Sequence, residues 1–222
     1  MPAQSPIPDR PDPAFGLIET MLFTRGEGIF LLEAHLARLA ASALHFSLPH
    51  DGEVIRARLL AHVGSAEGYR LRIRLVLGRD GGLTLQSASL LAPEPGLFWR
   101  VTITKSRFYS GEPLLLHKTT LRDRYEIPLA IAATDEVVFL NERGELCEGA
   151  RSNIFVARGG KLLTPPLSSG LLPGTLRAHL LAEGQAEEAM LTAADLAGEA
   201  MWFMGNSVRG LVRTKLASSG TG

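Results

Sequence analysis

The chain has 222 residues, 45% of them hydrophobic, with 23 basic and 23 acidic side chains and no formal net charge. This is enough for one large domain or two small ones sharing an interface, and the balanced charge leaves no electrostatic footprint for a nucleic acid partner. The single cysteine, Cys147, excludes an intramolecular disulfide and a cysteine metal cluster and fits a reducing, cytoplasmic setting, and no apolar run reaches the roughly 18 to 20 residues that span a bilayer.

Residues 1–13 carry Pro2, Pro6, Pro8, Pro11 and Pro13 without the charged-then-apolar order of a signal peptide, and are expected to form a disordered arm. Phe15 to Thr24 reads as a strand, Arg25 to Gly28 as a turn and Ile29 to Leu32 as a short return strand. From Glu33 to Phe46 the period becomes helical. Leu36, Leu39, Ala40, Ala43 and Leu44 form one apolar stripe, with His35, Arg38, Ser42 and His45 elsewhere on the helix. Asp51 is a good N-cap for a second helix over Glu53 to Val63, with Ile55, Leu59 and Val63 inward. Tyr69 to Leu77 alternates strictly, with Leu71, Ile73, Leu75 and Leu77 on one face and Arg70, Arg72 and Arg74 on the other. That arginine face reads first as a solvated sheet surface. The alternative is an anion site in which one arginine reaches a substrate carboxylate. Asp80-Gly81-Gly82 then turns the chain into a strand over Leu83 to Leu91.

Ala92-Pro93-Glu94-Pro95-Gly96 is the strongest internal punctuation. It sets the expected boundary between a small α/β domain over residues 14–94 and a larger one over 95–215, with a tail at 216–222. Phe98 to Lys105 alternates as a strand. The apolar run Leu114-Leu115-Leu116 is expected to carry Lys118 at the end of a buried strand or loop, before a helix from Thr119 or Thr120 through Ala133. Desolvation there lowers the pKa of an amine and frees it to attack a carbonyl. Taken alone, a lysine snorkelling from a strand end is the simpler reading. Glu136 to Leu140 reads as a strand and Asn141 to Gly144 as a turn, with Glu145 to Glu148 leading out. Asn153 to Ala157 and Lys161 to Thr164 form a hairpin around Gly159-Gly160, which lacks the spacing of a phosphate loop. After the loop Pro165 to Gly174, a helix is expected over Thr175 to Ala182 with Leu176 and Leu180 inward. Its start is either a phosphate seat or an ordinary loop-to-helix junction. Ala194 to Leu196 suggests a short turn, Ala200 to Met204 a buried strand, and Val208 to Val212 finishes the fold. Gly205-Asn206-Ser207 between them either lines a site or simply turns the chain. The six histidines show no metal-ligand spacing.

Four segments stand in order: EAHLARL (Glu33 to Leu39), HKTTLRDRY (His117 to Tyr125), LCEGARSNIF (Leu146 to Phe155) and TPPLSSGLLPGTLR (Thr164 to Arg177). With Gly205-Asn206-Ser207 as a fifth, they resemble the class IV aminotransferase family, the fold-type IV pyridoxal-phosphate enzymes. The resemblance implies an α+β, two-domain fold of the branched-chain and D-amino acid aminotransferase type, with pyridoxal 5'-phosphate between the domains. It also implies a role for particular residues. Lys118 would hold the cofactor as a Schiff base and transfer protons, and Glu148 would pair with the pyridine nitrogen. Arg38, the backbone N–H groups of Thr175 and Leu176, and the pair Asn206 and Ser207 would seat the phosphate. Position alone suggests Glu19, Thr20, Arg74 and Tyr125 as substrate contacts. Asp123 stands where transaminases of the family often have a tyrosine.

Within the family, FGLIETM, HKTT with an arginine four after the lysine, and GNSVRG most resemble the aminodeoxychorismate lyases, in particular a lyase domain otherwise fused behind a synthase. That implies release of pyruvate and 4-aminobenzoate in folate synthesis. The alternative is a transaminase for a D-amino acid, a branched-chain amino acid or an amine. A third possibility is a non-catalytic relative that binds pyridoxal phosphate, and the intact Lys118 and Glu148 argue against it. The resemblance further implies a small-molecule amine substrate and a homodimer, with neither nucleic acid nor membrane as partner.

Overall fold

The computed structural model describes residues 15–92 and 96–217. The expected arm over residues 1–13, the centre of the Pro-rich punctuation and residues 218–222 of the expected tail lie outside the described residues.

In the first part of the chain, β1 (Gly16–Thr24) and β2 (Gly28–Ile29) precede α1 (Leu32–His45) and α2 (Gly52–Ser65), and β3 (Arg70–Gly78) and β4 (Leu83–Ser89) follow. The sheet runs in the order β2-β1-β3-β4, with every neighbouring pair antiparallel. Alternation decides what each face meets. Leu71, Ile73, Leu75 and Leu77 of β3 join Leu17, Met21 and Phe23 of β1 in one core. The helices close that core with Leu39 and Ala43 of α1 and Ile55, Leu59 and Val63 of α2. The opposite face carries Ile18 and Thr20 of β1 and the arginines of β3. Asp51 caps α2 as expected, its Oδ1 accepting from the N–H groups of Glu53 at 3.0 Å and Val54 at 3.1 Å.

The apolar stripe expected on α1 needs correction. Leu44 is 80% exposed, whereas His35 and Ser42 are buried. The helix faces a strand with Glu19 in the middle of its apolar side, and a neighbouring segment that presents His117. Polar groups on the helix therefore complete the buried face: His35 Nδ1 lies 2.6 Å from Glu19 Oε2, and Ser42 Oγ lies 2.9 Å from His117 Nδ1.

In the second part, β5 (Phe98–Phe108) leads through a 3₁₀ turn at Pro113–Leu116 to α3 (Asp123–Ala132). Then come β6 (Glu136–Asn141), β7 (Leu146–Gly149), β8 (Asn153–Arg158), β9 (Lys161–Thr164), α4 (Thr175–Ala182), β10 (Ala186–Glu188), β11 (Trp202–Asn206) and β12 (Gly210–Leu216). They form one eight-stranded sheet in the order β10-β9-β8-β11-β12-β5-β6-β7. Because β7 also pairs with β8, the strands from β8 to β7 close on themselves. Val138, Ile154, Trp202 and Met204 sit in the core of this sheet, and α4 packs Leu176 and Leu180 against Phe155. No helix among the described residues is long and apolar enough to cross a membrane.

The lysine stretch departs from expectation. Leu114 to Leu116 lie in a 3₁₀ turn, the loop alternative and not the strand, and α3 begins at Asp123, beyond Thr119 and Thr120. Residues 118–120 are instead captured by β1. The Ile18 N–H donates to the Lys118 carbonyl at 2.8 Å, and the Thr120 N–H donates to the Gly16 carbonyl at 2.9 Å. Thr120 Oγ1 accepts from the Gly16 N–H at 3.0 Å. Backbone groups bonded to a strand are not free to open a helix. β10 is a further addition, since its three residues carry too little pattern to be read as a strand.

Candidate active site

The two sheets meet across a cavity of about 560 Å³. Its wall on the first sheet is the polar face of β1 and β3, with Thr20, Arg72 and Arg74. Opposite stand Lys118, Tyr125 and Glu148, and the start of α4 and the Asn206-Ser207 turn border the same space.

Lys118 lines the cavity, and the residue as a whole keeps intermediate exposure. Desolvation, reinforced by the guanidinium groups of Arg122 and Arg38, brings its pKa down to about 7 against the opposing pull of Glu19 and Glu148. At neutral pH a large fraction is therefore the free amine that adds to an aldehyde.

Glu148, on β7, is 4% exposed. The Tyr125 hydroxyl donates to its Oε1 at 2.9 Å and the Leu172 N–H to its Oε2 at 3.2 Å. Burial pushes its pKa up to about 7, outweighing those donors together with Arg122 and Lys118. A carboxyl in this condition gains from a partner that brings a proton with it, as a protonated ring nitrogen does. Tyr125 borders the cavity, but its hydroxyl is taken by Glu148, and the Arg122 guanidinium lies 4.5 Å from its ring centroid. Its first effect is thus on the carboxyl.

α4 opens at Thr175 with no side-chain cap, which leaves the N–H groups of its first turn for an outside acceptor. The junction is tightly held. A Cβ on Gly174 would stand 1.9 Å from Asn153 Oδ1, and Asn153 Nδ2 donates to the Leu172 carbonyl at 3.1 Å. Arg38 approaches from α1 and donates through Nη1 to the Pro173 carbonyl at 3.1 Å. Its Nε and Nη2 donate to Glu19 at 2.9 and 2.6 Å. Burial alone would raise the Glu19 pKa, but Arg38 and His35 outweigh it and hold the group at about 2. His35 continues the chain of contacts, its Nε2 lying 3.3 Å from Thr175 Oγ1.

Two expectations change here. Glu19, suggested as a substrate contact, lies on the face of β1 opposite Thr20 and is committed to α1, since strand alternation cannot turn both residues to the cavity. Asn206 borders the cavity, but the turn consumes its amide. Nδ2 donates to the Arg151 carbonyl and Ser152 Oγ, both at 3.2 Å, and Oδ1 accepts from the Val208 and Arg209 N–H groups, both at 3.0 Å. It shapes the turn without offering a free donor. Ser207 Oγ donates to the Thr20 carbonyl at 3.4 Å and ties that turn to β1.

Arg72 and Arg122 also border the site. The parity of β3 is the signal that finds Arg72, which shares a face with Arg74. Arg122 is the arginine four after the lysine, and its charge acts on both Lys118 and Glu148.

An amine near neutrality, an uncapped helix start beside a guanidinium, and a buried carboxyl form a donor set that fits a phosphate-bearing aldehyde. They define a site of the kind that does Schiff-base chemistry. The amino-transferase class IV family model matches residues 16–216, and the chain belongs to that family. A provisionally assigned aminodeoxychorismate lyase of Schizosaccharomyces pombe is 29% identical over 178 residues, which cover 78% of this chain and 75% of the relative. A solved structure from Mesorhizobium loti, provisionally assigned as an amino-acid aminotransferase, is 39% identical with a TM-score of 0.86, covering 91% of this chain and 100% of that one. A hypothetical aminotransferase from Mycobacterium tuberculosis, solved with α-ketoglutarate and PMP bound, is 26% identical with a TM-score of 0.78, covering 90% of this chain and 81% of that one. The chain is accordingly a pyridoxal-phosphate-dependent enzyme of the class IV fold, a lyase or a transaminase.

Proposed function

We propose that this enzyme is a 4-amino-4-deoxychorismate lyase that releases pyruvate and 4-aminobenzoate, with its cofactor seated between the two sheets. The observation that carries the reading is the meeting of Lys118 and Glu148 on one cavity with the uncapped start of α4. When bound, pyridoxal 5'-phosphate supplies an aldehyde for amines and a protonated ring that draws electrons from the amine-bearing carbon. Lys118 would hold that aldehyde, and with the substrate amine bound in the site Lys118 Nζ would be the group that takes the proton from the amine-bearing carbon. A pKa near 7 suits both duties, because the amine is free to add and basic enough to accept. Glu148 holds a proton at the ring nitrogen, and Tyr125 and the Leu172 N–H orient its two oxygens. Arg38 and the N–H groups of Thr175 and Leu176 seat the phosphate, Ser207 ties the bordering turn to β1, and Glu19 and His35 keep Arg38 and Thr175 in place.

The motifs FGLIETM and GNSVRG and the fission-yeast relative favour the lyase. The likeness to the Mesorhizobium protein favours the second reading, a transaminase. Incubation of the cofactor-loaded chain with aminodeoxychorismate and no keto acid separates them. A lyase yields 4-aminobenzoate and pyruvate, whereas a transaminase yields no 4-aminobenzoate and turns over amino acids only when an acceptor is added. The proposal extends to folate synthesis in the cytoplasm and to two domains divided near residues 92–96. It also includes a homodimer, supported by the exposed Ile127 and Ile131 on α3 and measurable by sedimentation.

A further inference from the structure

Arg122 borders the cavity, yet its guanidinium is spent on the protein, and two of its three partners bear on Glu148. The residue stands at the N-cap of α3, and its side chain is 18% exposed. Nη2 donates to the carbonyl of Ala150, two residues beyond Glu148, and Nε donates to Glu126 Oε1 at 3.4 Å. The flat group also lies over the ring of Tyr125, 4.5 Å from its centroid, and the Tyr125 hydroxyl is the donor to Glu148 Oε1. The tie is returned from α3, because Glu126 Oε2 accepts from Arg151 Nη2 at 2.5 Å. The first turn of α3 and the turn that follows β7 are thus bonded in both directions beside the carboxyl.

We propose that Arg122 is the positioning residue of Glu148: by spanning the Tyr125 ring and the Ala150 carbonyl it keeps the phenol donating to the carboxyl, and so fixes how Glu148 meets the cofactor ring. The inference rests on the role given to Glu148 above. What decides it is contact against field. A guanidinium acting only through its charge could be replaced by any cation, whereas one that aligns two elements by a fork and a flat face has no substitute in lysine. Burial raises the Glu148 pKa, and the Tyr125 hydroxyl, the Leu172 N–H, Arg122 and Lys118 oppose it. Losing the Tyr125 donor therefore lets Glu148 keep its proton to higher pH. A lysine at 122 preserves the charge and loses the alignment.

The test is an infrared pH titration of the full cofactor-free chain, reading the carbonyl stretch of the protonated Glu148 carboxyl with Glu148→Gln as the blank. Arg122→Lys is expected to raise the midpoint by about one pH unit, the effect of one hydrogen bond to a charged acceptor. In a Tyr125→Phe background the donor is already gone, so the same substitution should add less than about 0.3 unit. Should Arg122→Lys fail to fold, Arg122→Gln carries the test, and its shift should be at least halved in the Tyr125→Phe background. A midpoint in Arg122→Lys equal to that of wild type shows that charge alone suffices and overturns the proposal. So does an equal shift with and without the Tyr125 hydroxyl. The ring-nitrogen role of Glu148 fails separately. If Glu148→Gln loaded with pyridoxal 5'-phosphate keeps the wild-type visible absorbance and cofactor affinity, that role falls, and the alignment of Glu148 by Arg122 still stands or falls on the infrared midpoints.

Discussion

Two stretches bring cations to the same cavity by opposite means. β3 delivers Arg72 and Arg74 through its pleat, because the apolar residues that alternate with them, Leu71, Ile73 and Leu75, are locked against α1 and α2. The segment between the 3₁₀ turn and α3 has no repeat at all. Lys118 owes its direction to backbone bonds with β1, a strand from the far end of the chain. The difference teaches that a binding surface can be built on regular structure whose stability lies elsewhere, whereas the reactive amine depends on the contacts that place it. Changes at the arginines should therefore alter what binds, and changes around the lysine should alter whether the site works.

The largest effect expected is at the amine itself. Lys118→Ala should lower turnover by more than about 10³-fold and abolish the visible absorbance that develops with pyridoxal 5'-phosphate. The fold should not suffer. A folded-state pKa depressed from 10.5 to about 7 contributes stability that is present above the higher value and lost as pH falls through the lower one. At pH 6 the wild-type amine is charged in a poorly solvated place, so the cofactor-free variant should melt no lower than wild type there. A variant that kept the absorbance would remove Lys118 from the chemistry.

Glu148→Gln comes next. The carboxyl pKa is raised in the folded chain from 4.5 to about 7. The sign is opposite to that of the lysine: its contribution is complete below about pH 4.5 and is lost as pH rises through 7. Relative to the glutamine variant, cofactor-free wild type should lose up to about 1.4 kcal/mol of unfolding free energy per pH unit across that window. Denaturant titrations of both proteins at a series of pH values give this difference directly. A difference that stays flat with pH would show that the carboxyl titrates in its ordinary range.

The same contrast explains what could be read in advance. β3, the Asp51 cap on α2 and the bounds of α4 follow from local pattern, because each is decided by neighbours within a few residues. Glu19 fails on a rule already available, since the alternation that turns Thr20 to the cavity turns Glu19 to the helices. The stripe on α1 misleads because periodicity records which residues are apolar, whereas the strand opposite presents a carboxylate that His35 and Arg38 must meet. The lysine stretch was least legible. Its conformation is imposed by β1, and no property of Leu114 to Thr120 carries that information. For Asn206, the sequence shows a small polar residue at a strand break, while the use of its amide inside the turn needs coordinates.

Thr120→Val tests the dependence on β1 more gently. It removes the acceptor of the Gly16 N–H and should cost about 1 kcal/mol of stability. Because the lost bond lies two residues from Lys118, turnover should fall severalfold. Arg72→Gln on β3 should leave the melting temperature unchanged. Equal stability effects from the two substitutions would erase the distinction between the pinned segment and the pleated strand.

The smallest effect expected is at Leu44, and it tests the support beneath both regions. The residue belongs to the apolar stripe that periodicity assigns to α1, yet it is 80% exposed while Leu39 is 2% exposed. Leu44→Ala should therefore change stability by less than about 0.5 kcal/mol, the range of an ordinary surface substitution. A loss above about 2 kcal/mol, as for a core leucine, would mean that the helix is rotated to bury its stripe. In that orientation His35 and Arg38 would swing away from Glu19. The link from Arg38 to the Pro173 carbonyl would break with them, and the start of α4 would lose its tie to the first sheet. An exposed leucine far from the cavity thus reports on whether the guanidinium beside the proposed phosphate seat is held where the chemistry needs it.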